Sequence, residues 1–244
     1  MRCSYFPTVP PELDLQTNVL SNYILIVPQT GILARIYRPN FVIKDQKLPF
    51  EVYFQGKAFC VASPVFPNYH NSLNKLVAEA NIVAISIDYS AGANIALHLA
   101  FRIKKSNLGQ SFMILGIGMI HPYFWKTNPI GSETVDRLRK ELVDKWWLYV
   151  CPSDKECDDP FINLFVYRSP NLVGLACHGI LVTIADKDIL KDIWRFYYDK
   201  LVKSGWRGKA EIMENEGEDH VFHIFNPDCD KAKSLMKRLA AFLN

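Results

Sequence analysis

The chain has 244 residues, of which 49% are hydrophobic and 22% charged, and its formal net charge is +3, an ordinary balance for a globular domain. Its basic residues form no dense stripe, and its longest apolar run, Phe112–Ile120, is too short to span a bilayer, so neither nucleic acid nor a membrane is expected as a partner. The six cysteines include no C-x-x-C pair, and the histidines lack the spacing of metal ligands. A reduced, cytoplasmic chain with no metal or cofactor is therefore expected.

The predicted elements begin with strands and continue as helices that alternate with strands. The first half contains predicted strands at Tyr23–Val27, Leu33–Tyr37 and Phe50–Phe54, a helix at Asn71–Ala80, a buried strand at Ile82–Ile87, a helix at Ala91–Ile103 and a buried strand at Phe112–Ile120. The second half contains a helix at Glu133–Val150, a strand at Gly179–Ala185, a helix at Ile193–Lys203, a strand at Ala210–Glu214 and a helix at Cys229–Leu243. This repetition predicts an α/β fold with a doubly wound, mostly parallel sheet, in a single domain spanning residues 1–244.

Ser90 lies directly after a buried strand and opens the following helix, which is where a nucleophile elbow places its serine. Ser90-Ala-Gly92 supplies the second half of the G-x-S-x-G pattern, but Asp88 stands where the first glycine is expected. A serine that caps the helix is the structural alternative, because serine is among the preferred N-cap residues. This segment alone leaves both interpretations open.

Two further polar residues follow later strands. Asp188 comes just after the strand Gly179–Ala185, at the carboxyl end where such folds place functional residues, although an aspartate there can also cap a helix. His220 follows the last strand, 32 residues beyond Asp188, and His223 is the competing histidine. Serine, aspartate and histidine in this chain order suit a nucleophile, an orienting acid and a base. The loop after Phe50–Phe54 would then supply backbone N–H groups to an oxyanion.

Stretches that match one protein family extend over nearly the whole chain. They are Pro11–Asn18, Tyr69–Asn81, Ser90–Asn94, His121–Trp125, Pro129–Glu133, Asp158–Asn163, Asp188 and Gly217–His223. In these stretches the sequence resembles the plant carboxylesterases of the hormone-sensitive-lipase type, a family that contains 2-hydroxyisoflavanone dehydratase and the gibberellin receptors. The resemblance implies the α/β-hydrolase fold and places the family's nucleophile, acid and base at Ser90, Asp188 and His220.

The resemblance also implies a function. A carboxylesterase would act on small acyl or aryl esters, with an oxyanion hole formed by the backbone N–H groups of Gly56, Lys57 and Ala91. Aromatic side chains would line its substrate pocket beneath a cap helix at 133–150: Phe59, Tyr123, Phe124, Trp125, Trp146 and Trp147. Two alternatives stay open, a ligand-binding paralogue that has lost catalysis and a dehydratase-like lyase. In each case the ligand would be a small ester or a phenolic compound.

The chain departs from the family at places that bear on activity. The family's His-Gly-Gly-Gly-Phe loop is Gln55-Gly-Lys-Ala-Phe59 here, and glycines serve there because the backbone must approach the substrate closely. Between Ile87 and Ser90 the chain also lacks one crossover helix and one central strand. The family's N-terminal lid segment is expected to be largely absent, because the match begins near Pro11. We therefore expect impaired activity.

The missing strand leads to a geometric prediction. We expect Ile82–Ile87 to pair directly with Phe50–Phe54. We also expect it to keep the family's outer position, between the N-terminal hairpin and Phe50–Phe54, because the right-handed crossover through Asn71–Ala80 leads there. The vacant central position lies on the other side of Phe50–Phe54, two strand spacings away. Neighbouring strands lie about 4.8 Å apart, so Ser90 would then lie about 10 Å from the place where His220 could use it. The strand edges left open would favour self-association.

Overall fold

The fold is taken from a computed structural model that describes residues 9–27, 29, 32–41, 46–54, 66–87, 92–105, 113–151 and 154–244. The strands are β1 (Leu13–Asp14), β2 (Val19–Val27), β3 (Ile32–Pro39), β4 (Phe50–Phe54), β5 (Val83–Ile87), β6 (Ile114–Ile120), β7 (Cys177–Ala185) and β8 (Lys209–Asn215). The α-helices are α1 (Pro67–Ala80), α2 (Gly92–Lys105), α3 (Arg137–Val150), α4 (Lys191–Lys203), α5 (Phe222–Phe225) and α6 (Asp230–Leu243). Helices thus alternate with strands after β4, as the sequence predicts.

These elements group into two compact units. The first unit contains β1 to β5, α1, α5 and α6, and the second contains α2, α3, α4 and β6 to β8. The chain therefore leaves the first unit after β5, forms the helices and strands of the second unit within Gly92–Asn215, and returns to the first unit at Phe222. The prediction of a single domain over residues 1–244 stays a prediction.

The first unit holds a five-stranded sheet in the order β1-β2-β3-β5-β4. β5 pairs in parallel with β4 along its whole length, and antiparallel with β3 on its other side. The predicted direct pairing with Phe50–Phe54 is therefore confirmed, and so is the predicted position between that strand and the N-terminal hairpin. Its apolar run also predicts burial on both faces, but only one face is fully buried: Ala84 and Ser86 are buried, whereas Val83 and Ile85 are partly exposed.

The second unit holds a three-stranded parallel sheet in the order β6-β7-β8. Its central strand, β7, buries every residue from Ile180 to Ala185, as expected for a parallel strand that is covered on both faces. Because all three strands run in the same direction, their carboxyl ends meet at one edge of the sheet. The residues that follow these strands form the candidate site.

The helix predicted at Glu133–Val150 is two separate elements. A 3₁₀ turn spans Gly131–Thr134, and α3 begins at Arg137. Asp136 caps the second element, because its side-chain Oδ1 accepts a hydrogen bond from the Arg139 backbone N–H at 3.0 Å. An aspartate inside an apolar helical pattern is the signal that marks this boundary.

Among the helices of the described residues, none has the length and apolar character that a membrane span requires.

Candidate active site

Three polar side chains follow the three parallel strands of the second unit. His121 comes directly after β6, Asp188 follows β7, and His220 follows β8. Each offers one nitrogen or oxygen atom, and these atoms lie within 4.8 Å of one another. The edge at which parallel strands end is the usual position of ligands and reacting groups in α/β sheets. The fold therefore brings together Asp188 and His220, the acid and base selected from the sequence.

Asp188 and His220 form a short hydrogen bond, with 2.6 Å between Asp188 Oδ2 and His220 Nδ1. The Asp188 side chain is buried, and its other oxygen accepts the backbone N–H of Leu190 at 3.0 Å. A ring nitrogen that faces a carboxylate carries a proton, so Nε2 of neutral His220 is left with a free lone pair. The His220 side chain is 40% exposed, so Nε2 can accept a proton from a substrate or a nucleophile.

Two loops that carry this pair are tied to each other by backbone hydrogen bonds. Gly217 adopts φ +73°, a left-handed conformation that glycine takes at little cost, and its N–H donates to Asp186 Oδ2 at 2.6 Å. This hydrogen bond lowers the pKa of the Asp186 carboxyl. The Lys187 N–H donates to the Glu218 carbonyl oxygen at 2.8 Å. The loop after β7 and the loop after β8 are thus held in one arrangement.

Arg139 in α3 adds a side-chain connection between the same loops. One guanidinium nitrogen donates to the Lys187 carbonyl oxygen at 3.1 Å, and the other donates to Asp219 Oδ1 at 2.7 Å. The His220 backbone N–H also donates to Asp219 Oδ1, at 2.7 Å. Partial burial opposes ionisation of Asp219, but the hydrogen bonds from Arg139 and from the His220 backbone outweigh it and lower the pKa of this carboxyl.

His121 is the site residue to which the sequence analysis assigned no role. It is buried, it has φ +42°, and its backbone N–H donates to the Thr183 carbonyl oxygen of β7 at 3.1 Å. Its side-chain Nδ1 accepts the Val221 N–H at 2.8 Å, and its ring centroid lies 5.9 Å from that of His220. A polar residue at the end of a predicted parallel strand was the available signal, since the same rule selected Asp188.

The distances within the cluster decide between a metal centre and a hydrogen-bonded pair. Zinc ligands stand 2.0–2.1 Å from the ion in tetrahedral geometry, so two of them lie about 3.3 Å apart. His220 Nδ1 and Asp188 Oδ2 are closer than this, at 2.6 Å. The arrangement is that of a histidine oriented by a carboxylate.

The helix that follows Ser90 is anchored in the same unit as this pair. Asn94 in α2 donates from Nδ2 to the Phe161 carbonyl oxygen at 2.5 Å, and His98 Nε2 lies 2.9 Å from the same oxygen. Burial lowers the pKa of His98, which favours the neutral ring. The remaining residues assigned to the nucleophile elbow and oxyanion hole lie outside the described residues: Ser90, Gly56, Lys57 and Ala91. Their roles stay predictions.

The aromatic side chains predicted to line a pocket fall into two groups. Phe124, Trp125 and Trp147 are at most 4% exposed and belong to the hydrophobic core of the second unit. The Trp125 indole N–H donates to Asp144, and the Trp147 indole N–H donates to the Glu156 carbonyl oxygen at 3.0 Å. These side chains are packed by protein groups, so their burial has a structural explanation that needs no ligand.

The other predicted pocket residues are more accessible or undescribed. Tyr123 is partly exposed, and its hydroxyl donates to the Val143 carbonyl oxygen at 3.1 Å. Trp146 is 41% exposed, and Phe59 lies outside the described residues. Their contribution to a pocket stays a prediction.

His223, the competing histidine, belongs to the first unit, in the short helix α5. Its side chain is buried beside the Phe222 ring, with 5.8 Å between ring centroids, and lines a groove between α1 and α6. This is the packed position that its apolar neighbours predict.

The chain belongs to the α/β-hydrolase fold family, whose model matches residues 90–224, a span that contains Ser90, Asp188 and His220. The predicted fold class is thereby confirmed. Among curated proteins, the chain is similar to probable carboxylesterase 2 of Arabidopsis thaliana, with 47% identity across 96% of this chain and 88% of that protein. It is also similar to 2-hydroxyisoflavanone dehydratase of Glycine max, with 34% identity across 96% of this chain and 89% of that protein. The chain is a carboxylesterase-type α/β hydrolase, as its resemblance to plant carboxylesterases predicts.

The alignment with the Arabidopsis relative is longer than this chain. It extends over 279 positions, whereas this chain has 244 residues, so at least 35 positions (279 less 244) hold residues of the relative alone. A missing crossover helix and strand would fit within this difference, since a crossover takes about a dozen residues or more.

Solved esterase structures share the fold. The esterase of Pyrobaculum calidifontis has a TM-score of 0.74 at 19% identity, covering 92% of this chain and 84% of its own. A thermostable carboxylesterase cloned from a metagenomic library has a TM-score of 0.76 at 20% identity, covering 91% of this chain and 87% of its own. At these identities the likeness concerns the fold alone.

Proposed function

We propose that the chain is a serine carboxylesterase of low activity that acts on small acyl or aryl esters. The observation that carries this proposal is the 2.6 Å hydrogen bond between buried Asp188 and His220 at the ends of neighbouring parallel strands. It leaves Nε2 of His220 available as a general base, which an acyl-transfer enzyme needs in order to activate a serine hydroxyl. Ser90 is the proposed nucleophile, because it begins the family's Ser-Ala-Gly segment at the helix α2.

The reaction divides into two acyl transfers. In conformations that bring Ser90 within hydrogen-bond reach of His220, Ser90 Oγ attacks the ester carbonyl carbon while its proton passes to His220 Nε2, and the carbonyl oxygen becomes an oxyanion. The oxyanion collapses, the bond to the alcohol breaks, and His220 returns the proton to the leaving alcohol oxygen. Water then attacks the acyl-serine by the same route and releases the acid. Asp188 stabilises the imidazolium in both steps but keeps its own charge.

Low activity is proposed because two features of this chemistry are altered. The loop that would donate N–H groups to the oxyanion carries Lys57 and Ala58 where the family has glycines, and one misplaced donor lowers kcat by about 10²–10³. The chain also lacks the segment that precedes the serine in the family. Both changes affect the position of groups, and neither removes Ser90, Asp188 or His220.

Hydrolysis of p-nitrophenyl acetate should therefore be slow, with kcat below about 1 s⁻¹, while a fluorophosphonate still labels Ser90. Labelling requires an activated serine but no particular substrate, so it separates a weak esterase from a ligand binder. The Ser90→Ala variant is the control and should take up no label. A kcat within the usual range of about 1–10³ s⁻¹ contradicts the low activity, and absence of labelling contradicts the esterase proposal.

Restoring the family's glycines tests the cause of the low activity. The double variant Lys57→Gly, Ala58→Gly should raise the p-nitrophenyl acetate rate if the loop backbone is the main defect. An unchanged rate would assign the defect to the missing segment instead.

His220→Ala should abolish fluorophosphonate labelling of Ser90, whereas His223→Ala should retain it. Only the first variant removes the proton acceptor that Asp188 orients. The labelling rate is measured on preparations whose circular dichroism shows them to be folded, because His223 is buried and its loss also affects packing. Labelling that survives in the His220 variant and vanishes in the His223 variant would reverse the assignment.

A second reaction is favoured by the similarity to the Glycine max dehydratase. Elimination of water from a hydroxyl-bearing phenolic compound also needs a base, and His220 could serve by removing a proton from carbon. Loss of water from 2-hydroxyisoflavanone without labelling of Ser90 would support this lyase over the esterase. The names of other relatives place them in the chloroplast or the mitochondrion, so a cytoplasmic location stays a prediction.

A further inference from the structure

We propose that His121 is a positioning residue for His220, through the backbone N–H of Val221. The inference rests on the proposed function, since it assigns His121 a part in holding the general base. Three contacts carry it: the hydrogen bond of His121 Nδ1 to Val221, that of the His121 backbone to β7, and the proximity of the His121 and His220 rings.

The hydrogen bond from the Val221 N–H to His121 Nδ1 holds a residue whose backbone conformation is unfavourable. Val221, which follows His220 directly, has φ +48°, a left-handed conformation that is rare for a β-branched residue. Such a conformation persists only where surrounding groups hold it. His121 Nδ1 accepts the Val221 N–H at 2.8 Å, which satisfies this N–H in the conformation that directs the His220 side chain towards Asp188.

The second contact makes His121 a rigid support. Its own backbone is left-handed, with φ +42°, and its N–H continues the pairing of β6 with β7 by donating to the Thr183 carbonyl oxygen at 3.1 Å. The strand β7 is also the strand that ends at Asp188. His121 thereby connects the strand that carries the acid to the turn that carries the base.

The proton positions follow from these contacts. Because Nδ1 of His121 accepts a backbone N–H, its ring proton resides on Nε2 and the ring is neutral. Nδ1 of His220 donates to Asp188, so the two histidines hold opposite tautomers. Loss of the acceptor at position 121 leaves the Val221 N–H without this partner and releases the turn.

The direct test observes the Asp188–His220 hydrogen bond rather than the reaction. In protein labelled with ¹⁵N-histidine, the His220 Nδ1 proton should give a strongly downfield NMR signal, assigned by its absence in His220→Ala. The signal should be lost in His121→Leu, which removes the acceptor, and kept in His121→Asn, whose Oδ1 can accept in place of Nδ1. The control His178→Leu changes an exposed histidine on β7 and should leave the signal unchanged.

The labelling rate gives a second measure. His121→Leu should slow fluorophosphonate labelling of Ser90 by about 10–100-fold, since small misplacements of reacting groups have effects of this size. His121→Asn should remain within about threefold of the wild type. A purely structural role for His121 would lower thermal stability while leaving the signal and the labelling rate of the folded protein unchanged.

The outcomes separate this inference from the proposed function. If Ser90 takes up no label in any variant but the downfield signal responds as described, the esterase proposal fails and the positioning role stands. A signal that persists in folded His121→Leu overturns the positioning role. If the leucine variant does not fold, loss of the signal in folded His121→Asn overturns it instead.

Discussion

Insertion of the missing segment between Tyr89 and Ser90 is expected to raise the hydrolysis of p-nitrophenyl acetate on the order of 10³-fold. The segment is the crossover helix and strand that the resemblance to plant carboxylesterases implies before the equivalent serine. Without it, only two residues separate Ser90 from β5 in the sequence, and β5 lies between β3 and β4. Restoring the segment would let the serine begin from a central strand, and a misplacement of only 1 Å already lowers rates by about 10²-fold.

Two controls isolate the effect of the strand. The same insertion in a Ser90→Ala background should give no gain, and a glycine–serine linker of equal length should give little. A rate that stays within tenfold of the original chain, in an inserted protein that unfolds cooperatively, would show that the missing strand is not the main cause of low activity.

Glu133→Gln is expected to remove a large pH dependence from the stability of the protein. Glu133 is fully buried; its Oε2 accepts the Ile130 N–H at 3.1 Å, and its Oε1 has no hydrogen-bond partner among the described residues. Burial raises the pKa of Glu133 from 4.5 to about 7, although the hydrogen bond from Ile130 opposes the rise.

The folded state therefore holds this proton more tightly than the unfolded chain does. The stability that it contributes is fully present below pH 4.5 and is lost as the pH rises through about 7. The pKa difference corresponds to on the order of 3 kcal/mol. Glutamine keeps an oxygen acceptor for the Ile130 N–H but cannot ionise. The stability of the variant therefore does not fall in this way as the pH rises.

Urea unfolding at a series of pH values from 5 to 8 measures the effect. The free energy of unfolding of Glu133→Gln, relative to the wild type, should rise across this range, while any constant cost of burying the amide affects all pH values equally. Glu141→Gln changes an exposed glutamate of α3 and should show a flat difference. A flat difference for Glu133→Gln as well would contradict a raised pKa at this position.

Local sequence patterns were sufficient to predict most elements and the position of Asp188 just after the end of β7. The position of β5 between β3 and β4 was predictable, because a crossover connection between parallel strands, here through α1, is almost always right-handed. The separation of α3 from the preceding turn was missed because the apolar pattern continues across Asp136, where the side chain caps the helix. The alternation of burial along β5 was also missed, since an apolar run does not state which face is covered.

The candidate site was less predictable where it depends on contacts between distant segments. His121 serves the site through a left-handed backbone and a hydrogen bond to a residue 100 positions away, and neither is a property of local sequence. Aromatic residue type likewise does not distinguish a pocket from a core, so Trp125 and Trp147 were predicted as pocket residues although the second unit packs them internally. Enclosure depends on all neighbouring elements together.

The order of the elements along the chain determines when the helices of the first unit become available to each other during synthesis. The helices and strands of the second unit lie within Gly92–Asn215. In the first unit, α1 packs against α6, and the Asn244 side chain donates to the Ala80 carbonyl oxygen at 3.0 Å. The ribosome adds about 5–20 residues per second, so the 134 residues from 88 to 221 delay these C-terminal partners by on the order of 10 s after β5 is made. During that interval the apolar face of α1 lacks its partner α6. Chaperones that bind exposed apolar segments can act on the nascent chain at this stage.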